Sequence, residues 1–141
     1  MQIRFVRQVQ TRTLCRYDEA LPLYSSSLEG NKRVLGDDHP STLTSMSNLG
    51  STLRDIGRLD EAMEMLQSCV DASKRVLGEE HEATLRFTDN LVLTLFKQGH
   101  LEQAEALYVE LLATMERVLG PEHPFANRVR ERLAQVQSSS L

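Results

Sequence analysis

The sequence predicts an all-α fold: a right-handed superhelix of antiparallel helix hairpins, with about six helices. Three observations predict it. A four-residue phrase recurs every 42 residues, as Arg33-Val34-Leu35-Gly36, Arg75-Val76-Leu77-Gly78 and Arg117-Val118-Leu119-Gly120. A second phrase follows in step, as His39-Pro40-Ser41-Thr42-Leu43, His81-Glu82-Ala83-Thr84-Leu85 and His123-Pro124. Between the phrases, apolar residues fall at steps of three and four, the spacing of one helix face. A unit of this kind cannot bury its apolar stripe alone, so neighbouring units stack into an array.

Taken in order, residues 1–16 carry Arg7 and Thr11 where the repeat would want leucines, and are expected to form a frayed or degenerate segment. An organelle-targeting role for this arginine-rich start is disfavoured, because it lacks serine richness and a clear amphipathic stripe. The repeat domain is expected over 17–137. It begins with a half repeat, 17–36, in which Tyr17, Ala20, Leu21, Tyr24, Leu28, Asn31 and Leu35 mark one helix face. Pro22, in the second turn, should bend that helix rather than end it. Gly36 stops it, since glycine accepts the left-handed conformation without a Cβ clash. Full repeats follow at 37–78 and 79–120. In the first, Leu43, Met46, Leu49, Gly50, Leu53 and Ile56 face a partner helix bearing Leu59, Ala62, Met63, Leu66, Cys69, Val70, Val76 and Leu77. In the second, Leu85, Leu91, Val92 and Leu95 face Leu101, Ala104, Tyr108, Leu111, Leu112, Met115, Val118 and Leu119. A closing half repeat, 121–137, uses Val129, Leu133 and Val136, and 138–141 is a polar tail. Valine and leucine of the recurring phrase are expected to seal the end of each second helix.

Bulk properties exclude several classes. The chain has 141 residues, 40% of them apolar and 26% charged, ordinary values for one globular domain. No apolar run is long enough to span a bilayer, so no membrane partner is expected. The formal charge is −4, yet residues 1–16 hold four arginines and no acid, so the remainder sums to −8. That balance argues against nucleic-acid binding, which needs a basic stripe over the main domain. Two cysteines, Cys15 and Cys69, make no disulfide framework and read as reduced thiols of a cytoplasmic protein. His39, His81 and His123 stand at equivalent places in successive repeats, too far apart to share a metal ion, and are assigned to helix starts. No catalytic motif is present, so neither enzyme activity nor a cofactor is expected.

Met46-x-x-Leu49-Gly50-x-x-Leu53 followed by Ala62-x-x-x-Leu66 resembles the tetratricopeptide repeat pattern, with Met46 in the place of the usual tryptophan. Leu91-Val92-x-x-Leu95 with Ala104-x-x-x-Tyr108 repeats it, and Ala20-x-x-x-Tyr24 keeps its second half. The period of 42 rather than about 34, the Leu-Gly stops and the His-Pro restart are similar to the kinesin light chain subgroup. So are Gly57-x-Leu59-x-x-Ala62 and Glu19-Ala20-Leu21-Pro22-Leu23-Tyr24. The long heptad segment and further repeats of a whole light chain are missing, so the chain reads as a short light-chain-like repeat protein or a fragment of one.

That resemblance implies a protein-interaction module, an adaptor or scaffold. Stacked hairpins leave their first helices lining a concave groove. Off-core residues there are Asn48, Arg54, Arg86, Asn90, Phe96, Lys97, Arg128 and Arg132, and they form the candidate peptide-binding set. Over the whole groove face five basic residues stand against three acidic ones, Asp55, Asp89 and Glu131, and that excess on an otherwise acidic domain points to a protein or peptide partner of acidic character, gripped by arginine forks and asparagine amides. A carboxylate clamp of the kind some tetratricopeptide domains carry is disfavoured, because Ser47 and Ser51 stand where it wants lysine and asparagine. The alternative reading is a structural segment that stacks on further repeats or self-associates through its N-terminal end, where Tyr17, Leu21 and Leu28 form no polar cap.

Overall fold

The computed structural model describes the backbone of residues 2–139 and the side chains of residue 17 and residues 19–139. Six helices and no strand are found among them: α1 Gln2–Leu35, α2 Pro40–Asp55, α3 Leu59–Val76, α4 Glu82–Lys97, α5 Leu101–Leu119 and α6 Pro124–Ser139. Helix α1 runs through the expected boundary at residue 16, and no glycine or proline lies between Gln2 and Arg16 to interrupt it. It also continues through Pro22. The side chains of residues 1–16, including Cys15 and the four arginines, lie outside the described set, as do residues 140 and 141 of the polar tail.

Each helix start and stop has a local cause. Gly36, Gly78 and Gly120 adopt φ of 94°, 99° and 99°, the left-handed region where a side chain would be strained, and so end the second helices. The histidines then restart the chain. Nδ1 of His39 accepts a hydrogen bond from the Ser41 N–H, that of His81 from the Ala83 N–H, and that of His123 from the Phe125 N–H, each at 3.1 Å. Histidine thus fills the N-cap role that serine or aspartate usually takes, satisfying a backbone donor that has no partner inside the helix. Thr42 closes the first joint from the other side, its hydroxyl donating to the Gly36 carbonyl at 2.7 Å.

Packing follows chain order, each helix lying against the next, and α2 additionally touches α4. Among the described residues α1, α3 and α5 make no comparable contact with one another, whereas α2 touches α4 and Asp89 of α4 pairs with Arg132 of α6, so the first helices share one face. Gly50 permits the closest approach in the α2–α3 hairpin. A Cβ there would stand 2.7 Å from Cγ of Leu66, inside the van der Waals limit. The core forms two clusters, one around Leu43, Leu53, Leu66 and Val70, the other around Val92, Tyr108, Met115 and Val129, with Met63 packed against both.

Some residues expected in the core are not there. Val34, Val76 and Val118 are 74%, 43% and 40% exposed, so the valine of the recurring phrase seals nothing. Leu77 and Leu119 do pack on the core clusters, but Leu35 is exposed. The last turns of α3 and α5 run beside the loops that precede α2 and α4, tied there by Arg75 to Asp38 and by Arg117 to Glu80. Tyr24 is also exposed, whereas its equivalents Leu66 and Tyr108 are buried.

Candidate functional site

The inner face is built from α2, α4 and α6, and the eight residues predicted to line it divide into two groups. Arg54, Asn90 and Arg132 are engaged between helices. The Asn90 side-chain amide donates to Oγ of Ser47 at 3.0 Å, and the Arg54 guanidinium reaches both the Asn90 carbonyl and its Oδ1 at 3.4 Å. Arg54 is consequently buried, with its Nε 3.3 Å from Asp55. Arg132 forms an ion pair with Asp89, whose carboxylate is only 3% exposed. These contacts fasten α2 to α4 and α4 to α6. A buried carboxylate must be paired in this way, because desolvation without a partner costs several kcal/mol.

Beneath that pair lies Tyr108 of α5, fully buried. Its hydroxyl and Oδ1 of Asp89 are enclosed, and neither has a hydrogen-bond partner within bonding geometry among the described residues. The phenol is pushed well above its ordinary value, first by burial and second by the neighbouring Asp89 charge. Cys69 is likewise enclosed, its thiol 3.2 Å from the Leu43 carbonyl and pushed by burial up to about 12. Both groups are neutral parts of the core.

The remaining predicted residues face outward or fill in. Asn48 is exposed, and its side chain has no partner among the described residues. Lys97 is exposed, with its ammonium 4.0 Å from Asp55. Phe96 is half-buried against the second core cluster, which it extends toward the surface. Arg86 and Arg128 meet at one place. They occupy equivalent positions 42 residues apart, and their guanidinium carbons stand 5.7 Å and 5.9 Å from the centre of the Phe125 ring. Such a distance allows attraction between each cation and the ring's electron-rich face. Arg86 also bonds Glu82 at 2.8 Å, an exposed pair one helical turn away and worth little.

Phe125 was not among the residues predicted from sequence. It opens α6, held there by the His123 cap on its own N–H. Around it Arg86, Asp89, Asn90, His123, Pro124 and Arg128 enclose a pocket of about 400 Å³. Asp89 is neutralised by Arg132 and Arg86 is shared with Glu82, which leaves Arg128 as the cation of the pocket with no ion-pair partner among the described residues. The arrangement suits an anionic group held beside the two guanidiniums, with the buried Phe125 ring supporting them from below.

Two models of the tetratricopeptide repeat match the sequence, over residues 11–75 and residues 84–125. The chain belongs to the tetratricopeptide repeat family. Members are in general protein–protein interaction modules and typically non-enzymatic scaffolds. No curated protein sequence matches the chain. Among solved structures, it is similar to a kinesin light chain-type protein of Podosopora anserina with nearly identical TPR-like repeats, at TM-score 0.80 and 24% identity over 90% of this chain and 60% of that one. It is also similar to BtubC (BKLC) of P. vanneervenii, at TM-score 0.65 and 14% identity over 89% of this chain and 58% of that one. The chain therefore spans about 60% of the length of these repeat proteins, and shares their fold. No helix among the described residues is long and apolar enough to cross a membrane.

Proposed function

We propose that this tetratricopeptide repeat protein is a cytoplasmic adaptor that captures an extended, acidic peptide segment of a partner protein on the inner face of α2, α4 and α6. The observation that carries this reading is the convergence of Arg86 and Arg128 on Phe125 at the mouth of a pocket. A carboxylate entering there gains a charge-assisted contact from Arg128 and a second from Arg86, for which it competes with the exposed Glu82. Lys97 and Asn48 extend the same face along the array and would meet the next acidic side chain and the peptide backbone. Arg54, Asn90 and Arg132 serve this site indirectly, by fixing the spacing of the helices that carry it.

The test is recovery of partners by pull-down and mass spectrometry, followed by titration of each binding segment as a labelled peptide. Arg86→Glu with Arg128→Glu should weaken binding by about tenfold or more, since two charge-assisted contacts become repulsions. Raising the salt concentration should weaken the wild-type complex in the same direction. Unchanged binding of every recovered partner to the double variant would remove the groove from consideration.

A further inference from the structure

The three helix starts of the inner face differ at one position. Each first helix opens directly after its capping histidine, with Pro40 in α2, Glu82 in α4 and Pro124 in α6. Proline suits that place, because its missing N–H would have no acceptor inside the helix and its fixed φ is already helical. One turn further on stand Thr44, Arg86 and Arg128. Of the three opening residues, glutamate alone can reach along the turn, and the Glu82 carboxylate accepts a hydrogen bond from the Arg86 guanidinium at 2.8 Å. Arg128, one turn after Pro124, has no ion-pair partner among the described residues.

Arg86 and Arg128 line the same cavity and stand at similar distances from the Phe125 ring, yet they do not offer a ligand the same charge. Asp89 is balanced by Arg132 and Arg86 by Glu82, so one positive charge, that of Arg128, is left over. His123, whose Nδ1 accepts from the Phe125 N–H, adds no charge in that state. A single carboxylate balances the remainder. A phosphorylated side chain is close to doubly charged at neutral pH and brings more negative charge than Arg128 alone can match. It could be matched only if Glu82 released Arg86. The two side chains are 43% and 62% exposed, so their pair is weak and open to exchange, and it biases the pocket without closing it.

We propose that Glu82 is a specificity-determining residue of this pocket: by holding Arg86 it biases the site toward a single carboxylate and against a doubly charged, phosphorylated side chain. This role depends on the pocket receiving an acidic side chain, as proposed above, and Glu82 exerts it through Arg86. An acid in a first helical turn also complements the helix dipole, but that duty alters helix stability and is indifferent to the charge of a ligand. The two roles therefore separate by measurement. Coulomb energy scales with the ligand's charge, so removing Glu82 should multiply affinity for a dianion by about the square of the factor for a monoanion.

Millimolar NMR titrations of the full chain, at neutral pH and constant ionic strength, test this. The probes are three capped peptides, each with one central residue between glycines: glutamate, phosphoserine or glutamine. Binding is read from the backbone N–H signals of His123 and Phe125. Glu82→Gln should tighten the glutamate peptide about threefold and the phosphoserine peptide about ninefold, and leave the glutamine peptide unchanged. Glu82→Pro should reproduce both factors while keeping the kind of helix start that Pro40 and Pro124 already provide, and circular dichroism establishes that each variant is folded. Equal factors for the two acidic peptides, or no change in either, would overturn the role of Glu82 and leave the anion site standing. Signals that stay still in wild type and variants alike would remove the anion site, and the role of Glu82 with it.

Discussion

Replacing Gly50 with alanine sets two effects of known sign against each other. In a helix interior, alanine is favoured over glycine by about 1 kcal/mol, because glycine loses more backbone freedom on folding. At Gly50 the added Cβ would lie 2.7 Å and 2.8 Å from Cγ and Cδ2 of Leu66. Carbon atoms pack comfortably at about 3.5–4.0 Å, so the shortfall is close to an ångström. Leu66 is 0% exposed and cannot withdraw without moving the helix. Overpacking of this kind costs about 1–3 kcal/mol, which makes Gly50→Ala neutral to destabilising by about 2 kcal/mol. Leu66→Ala alone should cost about 2–5 kcal/mol through the cavity it leaves. In that background the clashing atoms are gone, so Gly50→Ala should become stabilising by about 1 kcal/mol. The signature is therefore a change of sign, measured by urea denaturation followed by far-UV circular dichroism on the four proteins of the cycle. Gly30→Ala is the control: nothing lies within 4 Å of the added atom, so it should stabilise by about 0.5–1 kcal/mol. Equal stabilisation by Gly50→Ala in both backgrounds would show that α2 and α3 do not approach as closely as described.

Removing the histidine cap, as His81→Ala, leaves the Ala83 N–H without its acceptor and should cost about 1 kcal/mol in thermal or chemical denaturation. His81→Asn should restore most of that loss, and an alanine variant as stable as wild type would deny the cap its role. Burial of Cys69 predicts that, in a Cys15→Ser background, a thiol reagent labels the native protein only at the rate at which it opens. Burst labelling of the folded state would refute it. Because the folded thiol titrates near 12 rather than at its ordinary 9.0, its contribution to stability is fully present below the ordinary value and is lost as pH rises from 9.0 towards 12. Denaturation midpoints in that window should fall with pH, and Cys69→Ala should flatten the fall.

The helix pairs were legible in the sequence because their boundaries depend on local chemistry. A glycine forced to positive φ and a histidine whose ring reaches the N–H two residues on act through their immediate neighbours, and both recur with the period. Val76 and Val118 misled for the opposite reason. Helical spacing continues to the last turn, but whether that turn has anything opposite it depends on where the partner helix begins. The site was half legible. Arg86 and Arg128 were found by their place on the first helices, whereas Phe125 sits at a helix start where the repeats otherwise carry Ser41 and Ala83. That departure at one position, beside an arginine recurring at 42 residues, was the available signal. Arg54, Asn90 and Arg132 looked equally free in one dimension, because the sequence of one hairpin does not state which residue of the next first helix meets it. The spacing of 43 residues that joins Ser47 to Asn90 and Asp89 to Arg132 comes from how hairpins stack.

The Arg-Val-Leu-Gly phrase separates into positions with different physical duties once the antiparallel geometry is considered. A hairpin whose second helix returns alongside the first brings its last turn beside its own entry loop, so Arg75 meets Asp38 and Arg117 meets Glu80, each 37 residues back. Leu77 and Leu119 pack on the core, while Gly78 and Gly120 reverse the chain. Nothing in the structure explains the valine. Arginine is therefore repeated for a contact that lies within the hairpin. An exposed ion pair adds little to the stability of a complete repeat.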